Sequence, residues 1–150
     1  MKTISFTVLF ASLSLLCATG AQARNEPSFL PIQDALKTNE AQSKLRGEIQ
    51  FYFGDQPYPA VGAMLSQGLV AYKKGSIFEL GAEVATCNRT LLAALLQLQA
   101  HARKMGGNAV VNIESYYQKI SFKSNDQFEC RVGNAKTGVM LRGDVVRLGN

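Results

Sequence analysis

Between Cys87 and Cys130 the chain spells a helix, a strand and a return strand. Leu91, Leu95, Leu98, Ala102 and Met105 recur at helical spacing, and Leu92 and Leu96 widen the stripe. An apolar stripe that broad must be buried against another layer, so it predicts an amphipathic helix from Asn88 to about Met105. Thr86 or Asn88 is the expected N-cap. Gly106-Gly107 stops the helix, and Arg103 and Lys104 lie in the last turn, where cations suit the helix dipole. Ala109, Val111 and Ile113 then alternate with Val110, Asn112 and Glu114, which predicts a strand.

The other elements are ordered around that unit. Residues 24–46 read as a polar lead-in with short helices. The stretch to Leu30 is loose, Pro31 opens a helix at Ile32–Leu36, and Thr38 or Asn39 caps a second at Glu40–Leu45. Gly47–Phe53 alternates as a strand, and Pro57 and Pro59 make the next segment a loop or edge. Met64–Tyr72 reads as a strand broken by Gly68, Lys73-Lys74-Gly75-Ser76 as a turn, and Ile77–Thr86 as a loop or short strand. Phe128–Val132 and Thr137–Leu148 read as antiparallel strands, with a change of phase near Gly143-Asp144 that a bulge would explain. The expected fold class is α+β, one long amphipathic helix packed on an antiparallel sheet, with residues 47–150 as a single domain.

The start of the chain bounds the compartment. A short positive opening, an apolar run from Ile4 to Cys17 and Ala21-Gln22-Ala23 match a secretory signal peptide, residues 1–23, cleaved after Ala23. The run is shorter than the roughly 20 residues of a membrane span. Leu16 is too large to precede a lipid-bearing cysteine at Cys17. The mature chain is then periplasmic or secreted, without a transmembrane segment. It keeps two cysteines, Cys87 and Cys130, which in an exported chain read first as one disulfide. A redox-active pair or two metal thiolates are the alternatives. Without Lys2 the balance is 15 basic to 11 acidic side chains. The cations are scattered, with no basic run of the nucleic-acid-binding kind.

No catalytic constellation is present, so the reading is non-enzymatic, with no catalytic, cofactor-binding or metal residues and no cofactor. There is no phosphate loop and no nucleophile elbow. His101 is the single histidine, and no cysteine or acid stands at ligand spacing from it. Glu79 with Glu83, or Glu114 with Glu129, could pair for glycoside hydrolysis, against the commoner reading of solvated acids. Asn88-Arg89-Thr90 matches a glycosylation triplet and reads as helix capping. Tyr52 and Tyr58, beside the prolines, form a possible contact surface, against packing on their own loop.

Glu83-Val-Ala-Thr-Cys87, the alanine- and leucine-rich helix, Ala102-Arg-Lys-Met-Gly-Gly-Asn-Ala-Val-Val111, Cys130 and Gly138-Val-Met-Leu141 together resemble the YbjQ-like and RcsF-like family of bacterial proteins. The resemblance spans about Gly81 to Val146. It implies that family's α+β core and pairs Cys87 with Cys130. A second disulfide of the RcsF-like members falls at Ser115 and Lys136 here and is absent, as are their lipid-bearing cysteine and proline-rich linker. The Phe51–Pro57 stretch is similar to small exported bacterial proteins, some bearing an excinuclease ATPase label that nothing in this chain supports. The resemblance implies a binding or interaction protein of the envelope. Its partner would be an envelope protein or a small ligand. A ligand- or metal-binding homo-oligomer is the alternative, and an envelope hydrolase comes third.

Overall fold

The computed structural model describes residues 23–45 and 47–149. The signal-peptide reading lies almost wholly outside them. Along the described chain run β1 (Glu26–Pro31), α1 (Ile32–Leu36), α2 (Asn39–Lys44), β2 (Gln50–Phe53), β3 (Val61–Ser76), α3 (Ile77–Leu80), α4 (Glu83–Met105), β4 (Ala109–Ser115), a 3-10 turn (Tyr117–Lys119), β5 (Gln127–Val132) and β6 (Lys136–Leu148).

The expected fold class is overturned. The architecture is a curled, half-barrel mixed sheet of six strands, not a long helix on an antiparallel sheet. The order is β1-β5-β6-β4-β2, with β3 on the other flank of β6. The sheet is mixed because β2 runs parallel to β4. It is larger than the sequence suggests because one segment read as a loose lead-in and one read as a broken strand with a turn are both continuous strands. One is β1, which pairs with β5 from Glu26 to Pro31 and makes the lead-in part of the sheet. Its prolines are tolerated because an edge strand need not donate on its outer side. The other is β3, which absorbs Gly68 and the expected Lys73–Ser76 turn into 16 continuous residues. Strands hold more of the described residues than the helices do.

α4 is the one long helix among the described elements, and it starts at Glu83 rather than Asn88. Its N-cap is Ala82, without a side-chain cap bond; Thr86 instead returns its hydroxyl to the Ala82 carbonyl at 2.8 Å. Gly106, at φ +74°, ends it in the left-handed conformation open to glycine. Leu91, Leu95, Leu98 and Ala102 are fully buried. They share one core with Ala71 of β3, Val110 and Ile113 of β4, Phe128 of β5 and Val139, Leu141 and Val145 of β6. Cys87 and Cys130 are disulfide-bonded inside it and tie the first turns of α4 to β5. Such a bond is compatible with an extracytoplasmic chain. No described helix is long and apolar enough to cross a membrane.

A second, smaller cluster of Ala109, Val111, Val146 and Leu148 lies on the other face, with Tyr52 and Tyr58 packed over it. It explains the change of phase expected near Gly143-Asp144. β6 itself is continuous. Successive side chains take opposite faces, and Val146 and Leu148 belong to the second cluster. The bulges sit in the flanking strands, between Ser66 and Leu69 of β3 and between Val111 and Glu114 of β4.

Candidate functional site

The sheet places four cations around one recess. Lys74 of β3 lies opposite Gly138 of β6, and Gly138 lies opposite Arg131 of β5. One row across three strands is therefore cation, glycine, cation. Tyr72 enters two residues before Lys74, on the same face by strand alternation, and Tyr117 enters from the turn after β4. The rings meet edge-on, with centroids 6.4 Å apart. A Cβ on Gly138 would sit 3.4 Å from the Tyr72 ring and 3.8 Å from that of Tyr117, ordinary contact distances, so both rings lie over the strand at this position. Arg24, Lys136 and Thr137 complete a recess of about 200 Å³.

Its cations are not equivalent. Arg131 lies over the Tyr117 ring at 4.9 Å, and its Nε is 2.6 Å from the carboxylate of buried Glu129. That contact is an ion pair without hydrogen-bond alignment. Arg24 is bonded to Glu83 and Glu26. The hydrogen bond to Glu83, then that to Glu26, raises its pKa further above the usual arginine range. Lys74 and Lys136 have no carboxylate within ion-pairing distance among the described residues. Lys74 stands 5.5 Å from the Tyr72 ring. The arginines are thus committed to the fold, and the two lysines are free to meet an anion.

A second recess of about 200 Å³ shares Lys74 and is lined also by Glu79, Thr86, Arg89 and Thr90. Between the two, α4 comes close to the sheet. The Thr90 and Thr137 hydroxyls are 2.9 Å apart, both buried, and a Cβ on Gly75 would come within 2.3 Å of the Thr90 oxygen.

The sequence candidates fall elsewhere. Tyr52 and Tyr58 come together, with centroids 5.6 Å apart, half-buried over the second cluster. Tyr58 also donates to the Asn112 side chain at 3.3 Å. Glu83 is engaged by Arg24, Glu114 by Arg142 and Glu129 by Arg131, each acid held by its own arginine, while Glu79 is exposed. His101 is half-buried, and no three metal-ligating side chains converge among the described residues. Asn88-Arg89-Thr90 lies within α4, with Thr90 buried and donating to the Thr86 carbonyl at 2.7 Å. The Gly106-Gly107 pair accepts and donates as a cap: Gly107 donates to the Ala102 carbonyl at 2.8 Å, and Arg147 donates to the Gly106 carbonyl.

Another polar cluster lies on the sheet around Asp144, which accepts from the Gly68 N–H at 2.8 Å and the Asn112 amide at 2.9 Å. Gly68 and Asn112 both have positive φ, so one carboxylate fastens the two bulges beside it. Arg142 bonds Glu114 and covers the Tyr116 ring at 3.8 Å, and Lys123 bonds Asp55. Those acceptors, Glu114 and Asp55 first, raise the pKa of Arg142 and Lys123. Its charges are mutually paired, which marks it as structural.

Sequence reading missed the recess because its residues lie far apart along the chain and only strand pairing joins them. The Tyr72-x-Lys74 alternation was the one local signal. No protein family, no curated protein and no solved structure matches this chain.

Proposed function

We propose that this chain is a non-enzymatic binding module of the bacterial envelope, exported to the periplasm or beyond, whose two-tyrosine recess holds a small anionic ligand. The observation that carries the reading is the convergence of Lys74 and Lys136, free of carboxylates among the described residues, with two tyrosine rings over Gly138. The buried disulfide and the resemblance to the YbjQ-like and RcsF-like family support the envelope setting. A phosphate, sulfate or carboxylate meets the lysines as a point charge. The rings offer apolar faces to whatever carries it.

The test is NMR titration of the mature chain with glycerol phosphate, with glycerol as control. Shifts at Lys74, Tyr117, Lys136 and Gly138 with the phosphate alone, lost in the Lys74→Ala/Lys136→Ala double variant, are expected. Equal response to glycerol, or no response at millimolar phosphate, overturns the reading.

A further inference from the structure

Among the described residues β3 pairs with β6 alone, so its other edge is free. The carbonyls of Met140 and Val146 bond toward the β4 side, to Tyr116 and Asn108. Even-numbered residues of β6 therefore turn their backbone groups away from β3. In a regular antiparallel pair the opposed residues do likewise. Val70, Tyr72 and Lys74, opposite Arg142, Met140 and Gly138, thus point their N–H and C=O groups off the sheet. Their side chains share one face, and Val70 and Tyr72 are 40% and 37% exposed. An edge of unpaired donors and acceptors bordered by exposed apolar side chains is a template for another strand.

The edge is guarded unevenly. Every register shift of β3 lies between Val61 and Leu69, where Gly68 adopts positive φ, while Leu69–Ser76 is regular. Bulges block strand addition, so only the regular segment is open. Its midpoint falls between Tyr72 and Lys73.

We infer that two copies of this chain join through the regular half of β3, antiparallel, about a two-fold axis at Tyr72. In that register Tyr72 faces the partner's Tyr72, Lys74 faces the partner's Val70, and Lys73 faces the partner's Ala71. Val70, Tyr72 and Lys74 each exchange their outward backbone hydrogen bonds with the facing residue. An axis at Lys73 or Lys74 sets like charges opposite each other, and an axis nearer Val70 runs into the bulge at Gly68. The lysines thus select the register instead of forbidding the contact. The partner's Val70, beside Lys74, extends the apolar wall of each recess. The inference does not rest on anion binding there, since a monomer can hold the anion and a dimer can form without it.

Sedimentation equilibrium of the mature chain tests it, with three variants. Val70→Lys puts like charges opposite at both symmetry-related positions and should weaken the dimer about tenfold. Val70→Glu faces the partner's Lys74 and should tighten it. Tyr72→Cys should form an intermolecular disulfide, because a hydrogen-bonded antiparallel pair holds its Cα atoms at about 5.5 Å, within reach of the bond. A concentration-dependent dimer with these responses is the expected result. A monomer at all concentrations overturns the inference. So does a dimer indifferent to the Val70 charge with no Tyr72→Cys cross-link, or a hetero-complex through β3 without self-association.

Discussion

The two faces of β6 are sealed by different means. On one, Val139, Leu141 and Val145 lie beneath the leucines of α4 in the large core. On the other, Val146 and Leu148 lie under Tyr52 and Tyr58, and Arg142 and Asp144 are tied into hydrogen-bonded pairs. The first face is an apolar interior shared with α4, where apolar area does the stabilising. The second is a patchwork, in which the chain covers backbone bulges with amides, carboxylates and rings. One strand serves both, so its apolar residues fall on one face at one end and on both faces at the other.

The same truncation on each face separates these regimes. Leu98→Ala removes a fully buried side chain from the large core and should cost about 3–4 kcal/mol in urea denaturation. Leu148→Ala, 7% exposed at the rim of the small cluster, should cost about 2 kcal/mol, because tyrosine rings and water can move into the space. Equal losses would break the comparison and show the tyrosine roof to be as tight as the helix.

Glycine substitutions sharpen it within β3. Gly75→Ala brings a Cβ to 2.3 Å from the Thr90 hydroxyl of α4 and 2.8 Å from that of Thr137, so helix or sheet must give way. Overpacking of this kind costs about 1–3 kcal/mol. Gly62→Ala meets the Arg147 carbonyl at 3.4 Å and the Gly149 backbone from 3.7 Å, ordinary contacts, and should change stability by less than about 0.5 kcal/mol. A benign Gly75→Ala, read in the same melting series, would mean that the helix layer is not closely seated.

The buried face of α4 and the strand after it were the part legible in the sequence. Leu91, Leu95 and Leu98 carry the helical period because one face of α4 is buried, and Ala109–Ile113 carries the strand period. β3 was legible only as a strand broken at Gly68, and for a physical reason. Gly68 reads as a break and Gly75 as part of a turn, yet Gly68 serves a bulge and Gly75 a close approach of α4. β1 was hidden by Pro27 and Pro31, which an edge strand accepts. The parallel pairing of β2 with β4 leaves no mark in either strand. The Tyr52–Tyr58 cluster could be read because its members are close in sequence. Lys74, Tyr117 and Lys136 belong to three segments that only the sheet unites.

If burial dominates the helical layer, the charges at its rim should contribute little, and Glu40 offers the smallest test. It sits on α2, hydrogen-bonded to Lys44 at 2.6 Å and 3.6 Å from Arg89 of α4. The Lys44 hydrogen bond, then the attraction of Lys44 and Arg89, holds its carboxyl below the usual glutamate range. A depressed carboxyl pKa stabilises the fold above the unfolded value, and that gain is lost as pH falls through the folded one. Exposure and solvent screening limit it to about 0.5 kcal/mol or less. Glu40→Gln should therefore lower stability slightly at neutral pH and leave it unchanged once the pH lies below the carboxylate range, as read from urea midpoints at the two pH values. A loss several times larger at neutral pH would mean that the Glu40–Arg89 contact, not the leucine stripe, seats α2 against α4, and the contrast between a burial-held face and a pair-held face would no longer stand.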